Sequence, residues 1–256
     1  MGLKLKGVTG RCKMRVLGVL LPACWLTAGC PTQPRPALRP TQPLAGAPVI
    51  APHLGRPYDI VSGSSLLTVR VYRGGALASA GHNHVIASHA LSGTIYVPAE
   101  RLGTSFEVRI PAAELTVDEP ALRAEAGAGF PPDVSESARA GTRRNMLGPA
   151  LLDAADFPEL VLTAERLEPV PAGEPGEVLA HIRTEVHGAV RSITLRVRYR
   201  LSGAQLTVSA DGPLTQSELG LTPFSALLGA LAVQDEMQIS IRLTARAAGN
   251  TAEGAR

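Results

Sequence analysis

The stretch RSITLRVRYRL at residues 191–201 alternates between apolar and polar side chains. A period of two residues is typical of a β-strand that buries one face. The same period recurs in LLTVRVY (66–72), FEVRI (106–110), ELVLTAERL (159–167), VLAHIRTEVHG (178–188), AQLTVSA (204–210) and MQISIRLTAR (237–246). These strands predict an inward-facing set: Leu67, Val69, Val71, Phe106, Val108, Ile110, Ile193, Leu195, Val197, Tyr199, Leu201, Leu206, Val208, Met237, Ile239, Ile241 and Leu243.

With a further strand after Gly81, the chain offers about eight strands, and consecutive strands suit antiparallel pairing. A long sheet with a single apolar face removes its exposed edges by curling until it closes. The predicted fold is therefore mainly β, an antiparallel lipocalin-like barrel of about eight strands. A barrel of that size either fills with its own side chains or holds one small ligand.

Two helical insertions are predicted within the strand pattern. The first lies in residues 115–158, where Asp133 as N-cap and Glu136 three residues later form a capping box. The second is a helix from Pro223 to Ala232, with Thr222 as N-cap and proline at the first helical position. Its apolar face would consist of Phe224, Leu227, Leu228 and Leu231, and it would lie against the barrel or across its mouth.

Three of the six histidines occur in AGHNHVIASH, at residues 80–89. If one strand follows Gly81, His89 shares the apolar face with Leu91 and Ile95, and His82 and His84 take the other face. A His-x-His pair can supply two metal ligands, but no third ligand is evident. The alternative is a turn at the barrel rim. An imidazole at His89 would need a polar partner, which could be a neighbouring side chain, a water or a ligand's head group.

The N-terminus resembles an export signal with a lipid anchor. Residues 1–29 combine five basic side chains with the short apolar run VLGVLLPACWLTAG (16–29), which is typical of a secretory signal peptide. LTAG before Cys30 resembles the lipobox of bacterial lipoproteins, which predicts lipidation at Cys30. The expected organisation is a signal at 1–29, an anchor and proline-rich linker at 30–57, a barrel domain at 58–247 and a disordered tail at 248–256. This organisation predicts a periplasm-facing lipoprotein, on the outer membrane because proline rather than aspartate follows Cys30.

Composition excludes several classes of protein. All lysines and two of the three cysteines lie in the signal, so the mature chain has no Schiff-base lysine, disulfide or cysteine nucleophile. Residues 1–58 hold eight basic side chains and no acid, whereas the chain from Asp59 onward holds 17 arginines and 22 acids, a net charge of −5. The formal charge of +3 for the whole chain is the sum of these two parts. That domain has no reason to bind nucleic acid. It also lacks the Gly-x-Ser-x-Gly elbow of serine hydrolases.

Three stretches together resemble the YceI-like family of lipid or polyisoprenoid-binding proteins, in its Gly-His-x-His branch. They are SSLLTVRVYRGGALASAGHNHVIASHALSGTIYV (64–97), RRNMLGPALLDAADFPELVLTAERL (143–167) and QSELGLTPFSALLGALAVQDEMQISIRLTA (216–245). In the second, the matching residues are Arg143, Met146, Leu147, Asp153, Ala154, Phe157 and Pro158. The chain departs from the family pattern in the third, where Leu219 replaces the usual aromatic and Gln216 and Ser217 replace a basic residue. The resemblance implies a lipocalin-like barrel, a long amphiphilic or isoprenoid ligand in its pore, and no known catalysis.

The expected function is non-catalytic carriage of a long apolar or amphiphilic lipid, of isoprenoid quinone or fatty-acyl type, with no other cofactor. The candidate ligand-binding residues are Val69, His82, His84, His89, Leu91, Ile95, Phe106, Val108, Met146, Phe157, Phe224 and Leu228. Two alternatives stay open at this point: a metal-dependent periplasmic enzyme using His82 and His84, and a structural envelope protein with a filled barrel. The sequence leaves the oligomeric state undetermined.

Overall fold

The computed structural model of the protein describes residues 54–249. The predicted signal, Cys30, most of the linker and the end of the predicted tail lie outside the described residues. The strands are β1 (Arg56–Ile60), β2 (Leu66–Gly74), β3 (His84–Ser88), β4 (Ser92–Val97), β5 (Ser105–Pro111), β6 (Thr116–Val117), β7 (Glu159–Pro169), β8 (Glu177–Val186), β9 (Ala189–Ser202), β10 (Gln205–Thr215), β11 (Ser225–Ala226) and β12 (Leu231–Ala247). The α-helices are α1 (Pro120–Glu125) and α2 (Glu136–Leu147), and short 3₁₀ turns occupy Ser62–Ser64, Ala78–Ala80, Arg101–Gly103, Ala112–Glu114, Ser217–Leu219 and Leu227–Gly229.

Eight strands form a closed ring. Their order is β1–β4–β5–β7–β8–β9–β10–β12, and β12 pairs back with β1. Every neighbouring pair in the ring is antiparallel. The prediction of a mainly β, antiparallel barrel of about eight strands is therefore confirmed. All the inward residues predicted from alternation line the interior or its core clusters.

One end of the barrel is extended by a flap. Strand β12 is 17 residues long, and its C-terminal part pairs with β1 while its earlier part pairs with β2. Strand β2 pairs onward with β3, and β3 with β6, which ends this path of strands. Helix α2 packs against β6, where Arg143 donates hydrogen bonds to the carbonyls of Leu115 and Ala113. We call this end of the barrel, with β2, β3, β6 and α2, the helix end.

Helix α2 begins later than its predicted cap. Its N-cap is Ser135, whose hydroxyl accepts a hydrogen bond from the backbone N–H of Ala138 at 3.2 Å. The prediction of Asp133 as N-cap is wrong because the helix starts at Glu136, so Glu136 is the first helical residue instead of the third. Ser and Asp are both good caps, and the sequence pattern alone does not separate two candidates that are two residues apart.

The predicted helix from Pro223 to Ala232 is absent. Ser225 and Ala226 instead pair with Ala232 and Leu231 in a hairpin, and residues 227–230 form its turn. Leu227 (φ 51°), Leu228 (φ 55°) and Gly229 (φ 89°) all adopt the left-handed conformation, which ends any right-handed helix. The spacing of the leucines fits a helix, but residues 225–226 pair with β12, and this pairing produces a hairpin instead.

The strand predicted after Gly81 is broken at residues 89–91, between β3 and β4. His84 and Ile86 line the interior on β3, whereas Leu91 and Ile95 line it beyond the break, so the inward parity changes from even to odd numbers. The prediction that His89 lies on the apolar wall is therefore wrong. Its side chain is 54% exposed and contacts Glu119 at 3.1 Å.

Among residues 54–249, no helix is both long enough and apolar enough to cross a membrane.

Candidate functional site

The barrel encloses two cavities that share Leu67 in their walls. The smaller has a volume of about 110 Å³ and lies among inward-facing strand residues such as Ile95, Phe106 and Val108. The larger has a volume of about 470 Å³ and lies at the helix end. That volume is within the range of about 300–1,000 Å³ that is usual for small-molecule pockets. The described residues thus leave open volume at the helix end.

Aliphatic and aromatic side chains make up most of the larger cavity's wall. Strands β2 and β3 contribute one side, helix α2 contributes a second, and the segment before β12 contributes a third. The apolar lining residues are Leu67, Val69, Val71, Ala80, Ile86, Leu115, Ala138, Met146, Leu151, Leu152, Leu160, Val186, Leu219, Leu221, Phe224, Leu231, Ala232, Val233 and Met237.

The polar part of the same wall contains no carboxylate. Its side chains are Arg73, His82, His84, Thr142, Asn145 and Gln216. Several of them offer hydrogen-bond donors, and one carries a fixed positive charge. Such a wall suits a head group that has oxygen acceptors, and it offers no counter-charge to a cationic head group.

A buried carboxylate holds His84 in place. The Nδ1 atom of His84 lies 2.6 Å from Oδ2 of Asp118, whose side chain is fully buried. The other carboxylate oxygen of Asp118 accepts hydrogen bonds from the Val85 N–H at 2.9 Å and from Nη1 of Arg123 at 2.6 Å. The Nε2 atom of His84 lies 3.3 Å from the hydroxyl of Thr142 on α2. The imidazole is therefore fixed between a buried acid and the helix that borders the cavity.

Asp118 is ionised in this network. Burial alone raises the pKa of a carboxyl group, but the hydrogen bonds from His84 and Val85 lower the pKa of Asp118, and the charges of His84 and Arg123 lower it further. The balance leaves the pKa of Asp118 below its ordinary value of 3.8. An ionised carboxylate only accepts hydrogen bonds, so Nδ1 of His84 is the donor.

Arg123 compensates the buried charge of Asp118. Its side chain is 2% exposed, and it also donates hydrogen bonds to the carbonyls of Asn83 and Pro131. The Phe130 ring lies 5.9 Å from its Cζ atom, within the range of a cation–π contact. Asp118 itself adopts a φ of 55°, a left-handed conformation that aspartate tolerates better than most residues. The two residues thus join the β3 edge, the 118–119 turn and helix α1.

A metal site at the paired histidines finds no support in this geometry. The rings of His82 and His84 are 6.1 Å apart, but both nitrogens of His84 are already within hydrogen-bond distance of Asp118 and Thr142. Within residues 54–249, no cluster of three or more His, Cys, Asp or Glu side chains is arranged to hold a metal ion.

Nine of the twelve candidate ligand-binding residues lie on the cavity walls. They are Val69, His82, His84, Met146 and Phe224 on the larger cavity and Leu91, Ile95, Phe106 and Val108 on the smaller one. The other three do not line either cavity. His89 is exposed as described above, Phe157 packs against His187 on the surface with ring centroids 5.4 Å apart, and Leu228 is fully exposed at a hairpin turn.

Sequence reasoning missed Asp118, Arg123 and Thr142, which position His84. Asp118 lies in TVDEP, directly before a helix that begins at Pro120, where an acid usually indicates a helix cap. Arg123 has the sequence appearance of a solvated helix residue. Both charged side chains have a structural role because they are buried. No periodic pattern in the sequence indicates that burial.

Comparison with known proteins supports the fold. A model of the YceI-like domain matches residues 64–245, most of the chain. The crystal structure of BcnA from Burkholderia cenocepacia is similar at a TM-score of 0.52 and 16% identity, over 72% of this chain and 98% of that one. A polyisoprenoid binding domain from Saccharophagus degradans, described as implicated in plant cell wall breakdown, has a TM-score of 0.49 at 12% identity, over 75% and 98% of the two chains. The YCEI protein of Campylobacter jejuni has a TM-score of 0.43 at 12% identity, over 62% and 82%. No curated protein sequence matched the chain.

Proposed function

Because this chain belongs to the YceI-like domain family, we propose that its barrel carries a long-chain lipid, of isoprenoid quinone or fatty-acyl type, without chemical conversion. The observation that carries this proposal is the apolar cavity of about 470 Å³ at the helix end. Domains of this family are generally binding domains and not enzymes.

Burial of the lipid chain supplies the affinity in this proposal. Each methylene group that leaves water contributes about 0.8 kcal/mol, so a long chain needs few polar contacts. The smaller cavity shares Leu67 with the larger one and is lined mainly by apolar side chains of the barrel interior. The chain therefore points into the barrel, and its head group stays at the helix end.

The polar side chains around His84, among them Arg73 and Asn145, orient the head group in this proposal. Asp118 fixes the ring, and the lining around it contains no acid, so the oxygens of a quinone, hydroxyl or carboxyl group find donors there. A head group of this kind loses less hydrogen bonding on leaving water than it would against an aliphatic wall.

A cavity-filling substitution tests the binding proposal. Val69→Trp places a large ring in the cavity, and Val190→Trp places the same ring at a 42% exposed position on β9. We expect native mass spectrometry and solvent extraction to detect lipid with the wild type and with Val190→Trp, and much less with Val69→Trp. Circular dichroism must show a folded barrel in all three. Equal lipid content in both variants, or lipid-free wild type, would contradict the proposal.

Export and anchoring are part of the proposed function. The signal at 1–29, the lipobox at Cys30 and the eight prolines between Pro31 and Pro57 favour a periplasm-facing lipoprotein, on the outer membrane. We expect Cys30→Ser to move the protein from the membrane fraction to the soluble periplasm, and membrane retention of this variant would refute the anchor.

A second function has one specific observation in its favour. The chain of contacts from Asp118 to His84 to Thr142 has the connectivity of a hydrolase triad, with a threonine hydroxyl in the place of the nucleophile. The carrier proposal expects no turnover of long-chain nitrophenyl esters. Turnover that is lost in Thr142→Val but kept in Thr94→Val, a threonine that is paired with Asp59 and lines neither cavity, would establish an esterase instead.

A further inference from the structure

Two segments at the helix end contain no Asp, Glu, Lys or Arg. They are residues 74–83 (GGALASAGHN) and residues 219–234 (LGLTPFSALLGALAVQ), in a chain of which 18% is charged. Both segments contribute to the wall of the larger cavity, through Ala80, Gly81 and His82 from the first and Phe224 and Leu231–Val233 from the second. The wall of the cavity thus includes parts of two segments that contain no Asp, Glu, Lys or Arg.

These loops expose leucines. Leu77 is 47% exposed, Leu227 is 68% exposed and Leu228 is fully exposed. The Leu77 N–H donates a 2.7 Å hydrogen bond to the carbonyl of Ala230, so the three leucines belong to one continuous edge. We call Leu77, Leu227 and Leu228 the leucine rim.

The backbone holds the leucine rim outward at a conformational cost. Leu227 and Leu228 both adopt positive φ angles, which are unfavourable for residues other than glycine. Asparagine or glycine at the same positions would relieve this strain and would suit water better. Strain combined with solvent-exposed apolar side chains points to a surface that meets an apolar partner.

We propose that the leucine rim inserts into the surface of a phospholipid bilayer, so that a lipid passes between bilayer and cavity without crossing water. This inference rests on the proposed carriage of a lipid. Insertion of exposed apolar side chains at the bilayer interface gains free energy in proportion to the area buried. The two loops that carry the rim also contribute to the wall of the cavity, so a lipid that leaves the bilayer at the rim enters the cavity beside the same loops.

The charges that border the rim fit a phospholipid surface. Arg73 precedes the first loop, is exposed, and can approach phosphate groups. Glu218 and Asp235 flank the second loop, and their carboxylates accept hydrogen bonds from the backbone N–H and hydroxyl groups of Thr215 and Ser217. A stable protein partner would need about 800 Å² of surface with a hydrogen-bonding rim. Three leucines between uncharged loops provide much less than that.

Vesicle binding tests the proposal without the lipid anchor. The full chain carrying Cys30→Ser is mixed with phosphatidylcholine vesicles, with and without phosphatidylglycerol, and sedimented. The test variant is Leu227→Asn with Leu228→Asn, because asparagine tolerates positive φ and keeps the turn. The control variant, Leu102→Asn with Val190→Asn, removes two exposed apolar side chains elsewhere on the barrel.

We expect the rim variant to bind vesicles about tenfold more weakly than the parent, equivalent to about 1.4 kcal/mol, and the control to bind like the parent. The rim variant should also slow the transfer of a fluorescent fatty acid between vesicles, with unchanged capacity for that fatty acid in detergent solution. Equal vesicle binding by all three proteins, or no binding by the parent, would overturn the proposal. A dimer of the parent that dissociates in the rim variant would identify the rim as a contact between copies and would also overturn it.

Lipid content separates this proposal from the proposed function. A parent protein that binds vesicles through the rim but neither co-purifies with lipid nor takes up the fluorescent fatty acid would refute carriage and leave rim docking intact. A parent that carries lipid but binds vesicles no better than the rim variant would refute docking alone.

Discussion

Replacing Asp118 with asparagine should destabilise the barrel strongly, although the substitution only replaces one carboxylate oxygen with an NH2 group. Asp118 is fully buried and compensates Arg123, whose side chain is 2% exposed. Breaking a buried ion pair by removing one partner typically costs about 3–5 kcal/mol, because the remaining charge stays buried without compensation. Asparagine tolerates the φ of 55° at this position, so the substitution tests the charge and not the backbone.

Urea unfolding followed by circular dichroism measures this loss. We expect the midpoint to fall while the slope stays unchanged, and the melting temperature to fall by about 2–4 °C per kcal/mol, or roughly 6–20 °C in all. Asp211→Asn is the matched control, because its pair with Arg242 is exposed on both sides and should contribute only about 0–1 kcal/mol. A loss for Asp118→Asn no larger than that of the control would refute the account of the buried network.

The loss of stability in Asp118→Asn should depend on pH, and the sign of this dependence follows from the pKa of Asp118. The pKa of Asp118 lies below its ordinary value of 3.8 in the folded state, so the unfolded chain takes up this proton first as the pH falls. The stabilisation from Asp118 is therefore complete above pH 3.8 and is lost as the pH falls further, through the folded-state pKa. The contribution of the Asp118 carboxylate to the stability difference between wild type and Asp118→Asn should shrink as the pH falls below 3.8. A difference that grows on acidification would contradict this reasoning.

Further predictions concern the helix, the cavity wall and metal content. Ser135→Ala should lower the free energy of unfolding by about 0.5–2 kcal/mol, because it removes the N-cap of α2, whereas Asp133→Ala should change it little. If thermal denaturation shows the larger loss for Asp133→Ala, the N-cap is Asp133, as the sequence pattern predicted. Met146→Ala should cost about 2–5 kcal/mol in urea unfolding, since this buried side chain fills space between α2 and the barrel, and a loss below 1 kcal/mol would mean that the helix packs loosely. Elemental analysis of protein purified without added metal should find no stoichiometric zinc, copper or iron; an ion that is bound tightly and lost in His82→Ala with His84→Ala would contradict the non-metal account.

The sequence alone predicted the strands because one-sided burial has a local signature. Alternation in 191–201 and its six companion stretches placed every predicted inward residue on the interior side, since the two-residue period of a strand survives any tertiary arrangement. Closure followed from strand number and from the single apolar face. The resemblance to the YceI-like family, carried by an ordered set of three stretches, is confirmed by the match over residues 64–245.

Local pattern was insufficient where the chain departs from its own period. The break at residues 89–91 reversed the inward parity, so it exposed His89 and turned His84 toward the cavity. Leucines at helical spacing became a hairpin turn because β12 pairs with residues 225–226. Interactions between strands determine which segments pair and where a strand is interrupted. The spacing of residues within a single segment therefore does not show either feature.

Only the tertiary structure assembled the polar wall of the cavity. Asp118 and His84 are 34 residues apart, Thr142 is 58 residues from His84, and Arg123 reaches them from a short helix. The sequence by itself determined which faces are buried, because burial acts on each residue through its own side chain and its neighbours two positions away. Contacts between distant segments determine which charges are buried together beside the cavity and which leucines remain exposed. Those contacts exist only once the barrel has closed.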